Sequence, residues 1–455
     1  MTIRRLLVAN RGEIAMRIIR AARSLGIQTV LVVSEADRSA LPARYADRAV
    51  CIGPGRATDS YLRLEAIVGA ALATGCDALH PGYGFLAENA RLATACEENG
   101  IVFVGPAPAQ LAAVGDKLRA REVAERTGVP TTPGGPAEDR DTAIALARRI
   151  GYPVLVKAVG GGGGRGMKRV DEPAALDDAL ALATAEAAAA FGDARVYLER
   201  YVARGRHVEV QVLGDGRDVV HLGERDCSVQ RRYQKLVEEA VAPALDDALR
   251  VAIRAAAVRF AAELGYRSAG TVEFLVDAER GEFFFLEMNA RLQVEHPVTE
   301  AVTGIDLVAE QLALAQGEPL RFAQREVRFD GHAIECRINA EDPGCDFRPA
   351  PGRIATAVFP SGTGIRVETH IESGSIVPPF YDSLLAKLVV HGATRSQALA
   401  RLQGALAACR IEGIATNLAL HAAIAADPAF AAGGVDTGFL PRLLAPGGVP
   451  SPASI

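Results

Sequence analysis

The chain has 455 residues, 49% of them hydrophobic and 23% charged, with a net charge of −5. That length exceeds a single core and fits two to four domains, and the slightly acidic balance excludes the clearly basic face that a nucleic-acid backbone demands. Seven cysteines (Cys51, Cys76, Cys96, Cys227, Cys336, Cys345 and Cys409) include no CxxC pair, which argues against a disulfide framework and for a reducing compartment.

The amino terminus, MTIRRLLVANRGE, has too short an apolar run for a signal peptide and reads as a first strand over 5–9. No run approaches the ~18 apolar residues of a membrane span, so no membrane partner is expected and the cytoplasm is the default. A helix over 13–25 follows, with Ile14, Ile18, Ala21, Ala22 and Leu25 on one face. Further strands are predicted at 29–33, 76–79 and 101–104, the last two closed by His80-Pro81-Gly82 and Gly105-Pro106. Strand–helix alternation of this kind implies a parallel, doubly wound sheet of about 110 residues.

After a helix at 116–127 and a polar, Pro/Gly-rich stretch, a second unit is predicted. It holds a helix at 141–150, a strand at 154–158, five glycines, an alanine-rich helix at 173–190 and a strand at 195–201. Hairpins then dominate: 207–213 with 219–222 around Asp215-Gly216, and 270–276 with 281–288 around Asp277–Arg280. Long helices are expected at 244–264 and 304–316. Short strands over 332–391 and a helix at 394–408 form a last α+β unit.

The glycines 160–164 follow a strand that carries Lys157 and precede Arg165 and Lys168. Backbone amides in such a loop approach phosphate oxygens closely, so it reads as a phosphate loop and not as a plain linker. It matches neither the Walker loop nor the dinucleotide fingerprint.

On the second hairpin, a turn centred near Arg280 sets Glu273 opposite Glu287, a like-charge pair that a divalent cation would compensate. Alternation puts Glu287, Asn289 and Arg291 on one face, and an all-oxygen donor set suits Mg²⁺ or Mn²⁺ and not zinc. The segment 224–235 (ERDCSVQRRYQK) is too polar for a core and reads as surface or a polar cleft. His207 and Glu209 share a strand face.

Together these pieces resemble the biotin carboxylase family over nearly the whole chain: ANRGEIA (9–15), HPGYGFLAEN (80–89), KAVGGGGGRGM (157–167), HVEVQV (207–212), ERDCSVQRRYQK (224–235), EMNARLQVEHPVTE (287–300) and ECRINAED (335–342). The glycine loop alone would indicate only the wider ATP-grasp superfamily. The resemblance implies an α/β and α+β chain with an ATP-grasp fold: a Rossmann-like domain over 1–114, an ATP-grasp domain over 115–330 with a mobile glycine-rich lid (131–203), and a C-terminal α+β domain over 331–446.

It also implies a site. Lys117, Lys157, Glu199 and Val202 would line the adenine and phosphate pocket, with His207, Gln230 and Tyr233 nearby and Gly162, Gly163 and Gly164 on the lid. Glu273 and Glu287, with Asn289, would hold two Mg²⁺ or Mn²⁺ ions beside ATP. Lys235, Arg291, Gln293 and Val294 would bind bicarbonate, Glu295 would be the general base, and Arg337 would face the ureido group of carrier-bound biotin. Tyr233 stands where the family commonly has histidine, and a tyrosine cannot carry positive charge near neutral pH.

The four methionines (Met1, Met16, Met167, Met288) flank no lysine as a biotinylation site would need. The implied partners are therefore a separate biotin carboxyl carrier protein and a carboxyltransferase, within an acyl-CoA carboxylase, with the chain itself a homodimer. Two other readings compete: another ATP-grasp carboxylate–amine ligase, and a non-catalytic nucleotide-binding assembly subunit.

Overall fold

The structure, a computed structural model, describes residues 2–137, 139–159 and 167–445. The glycine loop, with Gly162, Gly163 and Gly164, lies outside the described residues. Among them, no helix is long and apolar enough to cross a membrane.

The amino-terminal part is a wholly parallel five-stranded sheet, in the order Arg48–Cys51, Gln28–Val33, Arg5–Val8, Ala78–His80, Val102–Phe103. Leu6, Leu7 and Val8 are buried on both faces, which is why the central strand reads as an unbroken apolar run. The edge strand Arg48–Cys51 is largely exposed, so no apolar pattern announced it. Helix Gly12–Ser24 buries Ile14, Ile18, Ala21 and Ala22 as predicted. Leu25, assigned to the same face, is instead 43% exposed, because the helix ends there and Gly26 turns away at φ +71°.

A four-stranded antiparallel sheet (Gly134–Pro136, Val196–Arg200, Val154–Ala158, Met167–Val170) makes the second unit, backed by helices Arg140–Ile150 and Leu176–Phe191. Its small core holds Ala143, Leu146, Val154, Val156 and Leu198. The predicted helix at 173–190 begins late because Pro173–Ala175 forms a separate 3₁₀ turn.

The centre of the molecule is an eight-stranded sheet: Glu282–Asn289, Arg267–Asp277, Gly205–Asp215, Val219–Arg231, Gln234–Ala240, His332–Asn339, Leu384–Gly392, Ile365–Thr369. Each neighbouring pair is antiparallel. Helix Asp247–Glu263 is capped by the Asp246 carboxylate, which accepts from the backbone amides of Ala248 and Leu249. It lays Ile253, Ala257 and Phe260 into the core shared with this sheet. The strand predicted at 219–222 runs on to Arg231, and Gln234–Ala240 is an additional strand. Part of the segment expected at the surface or in a polar cleft thus lies in the middle of the sheet, with Arg225 fully buried. Its charges are tolerated there because each is paired with an opposite charge from another element: Glu224 with Arg250 and Arg254, Arg225 with Glu209, and Asp226 with Arg206. Helix Leu307–Ala315 is shorter than predicted, and a distinct helix His296–Thr303 precedes it. Since Gln234–Ala240 pairs with His332–Asn339, the sheet runs unbroken across residue 330.

Candidate active site

The acid hairpin has the register that its sequence suggested, by a less direct route. Asp277 pairs with Glu282 and Phe274 with Phe285, a ladder that would carry Glu273 to Leu286. A β-bulge between Phe274 and Glu273 shifts the count by one and sets Glu273 opposite Glu287. Asn289 Nδ2 donates to Glu273 Oε1 at 2.9 Å. Lys117 Nζ lies 3.6 Å from Glu287 Oε2. Glu273, Glu287 and Asn289 therefore meet at one end of the hairpin and offer hard oxygen donors, which fits a magnesium-type ion.

Next to them Lys235 is enclosed by carboxylates. Its Nζ donates to Glu209 Oε2 at 2.5 Å, Glu295 Oε1 at 2.7 Å and Glu273 Oε1 at 3.1 Å. Burial alone would lower the Lys235 pKa, but the three acids outweigh it and hold the ammonium well above its ordinary value. Glu273 also receives His207, whose Nε2 lies 2.9 Å from Oε2. Burial opposes the charged ring, yet Glu273 keeps the His207 pKa raised. Behind Glu209, Arg225 is fully buried and donates to Glu209, Gln211, Thr271 and Thr299 at 2.6–3.0 Å.

Glu295 is the N-cap residue of helix His296–Thr303, where the helix end favours an anion. Its second oxygen, Oε2, accepts from Arg337 Nη2 at 2.8 Å. Burial would raise its pKa, but Lys235, Arg337 and Arg225 prevail and hold it well below the carboxylate range. Arg337 also donates from Nε to Glu238 Oε1 at 2.5 Å. Its own carbonyl accepts from Asn417 Nδ2 at 2.9 Å and lies 2.7 Å from His421 Nε2, which fixes the strand beneath the guanidinium.

Arg291 lies just past the strand, yet its side chain returns to the cluster. It donates to Asn289 Oδ1 at 2.7 Å and Gln293 Oε1 at 3.0 Å, while Glu88 Oε2 receives its Nε at 2.9 Å. Gln293 Nε2 in turn donates to Glu273 Oε1 at 3.0 Å. The Val294 carbonyl accepts from the fully buried Lys387 at 2.9 Å. Ala290 is buried in the hydrophobic core, away from the polar face.

Across the sheet edge, Lys117, Lys157, Tyr197, Glu199 and Leu286 line a cleft between the four-stranded unit and the central sheet. Lys157 is ion-paired with Glu199, and Val202 is buried. Gln230 faces Lys235 in register. Tyr233 occupies the second position of the two-residue turn Arg232-Tyr233, with both residues at positive φ, and is 56% exposed. It lies within electrostatic reach of Lys157, which lines the cleft, whereas Gln230 is buried.

The structure gathers Lys235, Glu273, Asn289, Arg291, Gln293, Glu295, Arg337 and His207 in one cluster, sets Lys117, Glu287, Lys157 and Glu199 beside it, and adds six residues outside the expected set. Glu209 and Arg225 form its floor, Glu88 holds Arg291, and Glu238, Glu335 and Lys387 lie behind Arg337. Strand parity had a signal for two of them, since Glu209 shares a face with His207, and Glu335 precedes Arg337 by two residues and shares its face.

Comparison with known proteins gives a consistent picture. Residues 2–111 match the family model of the biotin carboxylase N-terminal domain, 116–323 that of the carbamoyl-phosphate synthase L chain ATP-binding domain, and 335–442 that of the biotin carboxylase C-terminal domain. The chain is 52% identical to a biotin carboxylase of Pseudomonas aeruginosa, over 97% of this chain and 99% of the relative. Against biotin carboxylase 1 of Bacillus subtilis the identity is 50%, over 96% and 98%. The biotin carboxylase domain dimer of the 2-oxoglutarate carboxylase from Hydrogenobacter thermophilus, solved with MgADP, ADP and bicarbonate, superposes with a TM-score of 0.94 at 47% identity, over 97% of this chain and 98% of that one. A Campylobacter jejuni biotin carboxylase in a β-γ-ATP complex gives 0.94 at 44%, over 97% and 99%.

Proposed function

The chain belongs to the biotin carboxylase family, and from that premise we propose how its side chains share the work of carboxylating biotin. The enzyme carboxylates biotin in a reaction that consumes ATP and bicarbonate. The carboxylate–amine ligase and assembly-subunit readings are not favoured.

The observation that carries the assignment of roles is Glu295, a fully buried carboxylate held between two cations, Lys235 and Arg337. So held, it is ionised throughout the neutral range, the form a base requires. Bicarbonate entering beside Lys235, Arg291, Gln293 and the Val294 carbonyl draws the cations toward itself. Glu295 loses part of its compensation and becomes the better proton acceptor. Its removal of the bicarbonate proton frees an oxygen to attack the γ-phosphorus of ATP, giving ADP and carboxyphosphate.

Lys117, Lys157, His207 and Gln230 are proposed to orient the nucleotide, with Glu199 and Val202 lining its pocket and Tyr233 nearby. Magnesium or manganese, held by Glu273, Glu287 and Asn289, would offset the charge that otherwise repels one anion from another. Carboxyphosphate then breaks to CO₂ and phosphate, and phosphate takes the proton from biotin N1′. The Arg337 guanidinium meets the negative oxygen that results, and N1′ attacks CO₂.

The partners proposed are a biotin carboxyl carrier protein and a carboxyltransferase, with the chain as a homodimer. The dimeric Hydrogenobacter domain supports the last of these. For the Glu295 role the test is Glu295→Gln. Turnover is expected to fall by about 100-fold or more, the scale of a lost general base, with ATP binding retained in calorimetry. Unchanged turnover would remove Glu295 from the mechanism.

A further inference from the structure

Behind Arg337 lies an acid pair to which the mechanism above gives no task. Glu238 and Glu335 face each other in register on adjacent antiparallel strands, and both are fully buried. Strand parity sets Glu335 on the same face as Arg337, whose own register partner on the next strand is Lys387. Glu238 Oε1 accepts from Arg337 Nε at 2.5 Å. Glu238 Oε2 and both oxygens of Glu335 have no hydrogen-bond partner among the described residues.

Every other group around the pair is already committed. Lys387 Nζ is 3.0 Å from Glu13 Oε2 and donates to the Val294 carbonyl. Lys235, on the same strand as Glu238, is shared among Glu209, Glu273 and Glu295. The Cys227 and Cys336 thiols and the His296 ring are kept neutral by burial. Three carboxylates, Glu238, Glu295 and Glu335, therefore surround the single Arg337 guanidinium. Two buried carboxylates directly opposite each other do not both stay ionised. One proton relieves the repulsion, and carried by Glu335 it supplies the donor that Glu238 Oε2 lacks.

We propose that Glu238 and Glu335 act as a one-proton pair that positions Arg337 and keeps its charge available to the biotin oxygen. This rests on the reading that Arg337 faces biotin. With both acids ionised, Arg337 would be drawn toward the sheet and its charge spent on carboxylates. With one proton in the pair and a second on Glu295 after bicarbonate is deprotonated, Glu238 remains the guanidinium's one anionic partner. The guanidinium is then most effective at the stage when negative charge develops on biotin. The environment points the same way. Burial pushes the Glu335 carboxyl well above the ordinary carboxylate range, against Lys387, and pushes Glu238 up to about 7, against Arg337. Glu335 is a positioning residue in this scheme, since it touches no substrate.

The test joins infrared spectroscopy of the full chain with the pH profile of Glu335→Gln. Near neutral pH the wild type is expected to show the carbonyl band of a protonated buried carboxyl, and the E335Q spectrum to lack it. Biotin-dependent turnover of the wild type should fall about tenfold per pH unit above the ionisation of the pair. In E335Q, which cannot take a second charge, that fall should be absent. An unchanged band in E335Q, or an unchanged alkaline fall, overturns the proposal. Should E335Q fail to fold, the wild type alone decides: a protonated-carboxyl band that titrates together with the loss of turnover supports the pair, and no such band overturns it. Arg337→Gln separates the proposal from its premise. If R337Q retains biotin-dependent turnover, the reading of Arg337 is wrong, whatever the Glu335 result.

Discussion

At Tyr233, where the resemblance led us to expect histidine, the structure gives the residue a location. The side chain is half-exposed at a tight turn within electrostatic reach of Lys157, two residues before the lysine that organises the buried acids. A phenol there is neutral near pH 7 and offers a hydrogen bond without charge. Tyr233→His would add a titratable cation near the proposed nucleotide site. Exposed ion pairs contribute little, so the expected effect is a two- to fivefold fall in KM for ATP, on the order of 1 kcal/mol or less, with kcat little changed. Steady-state kinetics with ATP as the varied substrate checks this, and an unaltered KM would show that the position is neutral. Single residues were legible in the sequence where their chemistry was local. The Arg291-x-Gln293-x-Glu295 run marked itself by packing cation, amide and carboxylate closely together. Arg225, Glu238 and Lys387 did not, because a buried charge is intelligible only with its partner, and their partners lie on other strands or, for Lys387, on helix Gly12–Ser24.

At the scale of elements, the Rossmann-like unit joins the rest of the chain through the buried ion pairs Glu13–Lys387 and Arg17–Glu300, and through Arg11. Arg11, just after the first strand, donates to both oxygens of Asp37 at 2.8 and 2.9 Å and lies over the Tyr381 ring of the C-terminal region. Burial alone would raise the Asp37 pKa, but the Arg11 bonds and charge outweigh it and hold the carboxyl below its ordinary 3.8. A depressed carboxylate contributes its full stability above that ordinary value and loses it as pH falls through the folded-state pKa. Asp37→Asn, which leaves Arg11 buried without its counter-charge, is expected to cost about 3–5 kcal/mol near pH 7. The gap to the wild type should narrow below about pH 3.8. Urea midpoints at the two pH values measure it, and a gap that widens in acid would contradict the account. The strand–helix alternation of this sheet was readable where its strands are buried, and not at the exposed edge strand Arg48–Cys51. The acid hairpin was readable only in part. Alternation found its polar face, whereas the bulge that brings Glu273 to Glu287 leaves no mark in the pattern of residue types.

Across the whole molecule the eight-stranded sheet joins the groups that the mechanism needs. Its Glu273–Glu287 end adjoins the cleft lined by Lys117 and Lys157, and the strand carrying Arg337 continues the same ladder beyond Lys235. The proposed metal ligands, Lys235 and Arg337 thus ride on one continuous hydrogen-bonded sheet, and Arg291, Gln293 and Glu295 follow directly from its edge strand. The sequence suggested separate hairpins followed by an α+β unit, because pairing between distant strands such as Gln234–Ala240 and His332–Asn339 has no local signature. The central claim is that ATP cleavage here is driven by bicarbonate and directed to biotin. The most direct measurement is ADP release by the purified chain with magnesium and free biotin, in buffer stripped of CO₂ and then with bicarbonate restored, together with capture of labelled bicarbonate as carboxybiotin. The account predicts that ADP release requires bicarbonate, rises with biotin and is accompanied by label on biotin. ADP release indifferent to bicarbonate, with no label transferred, would contradict it.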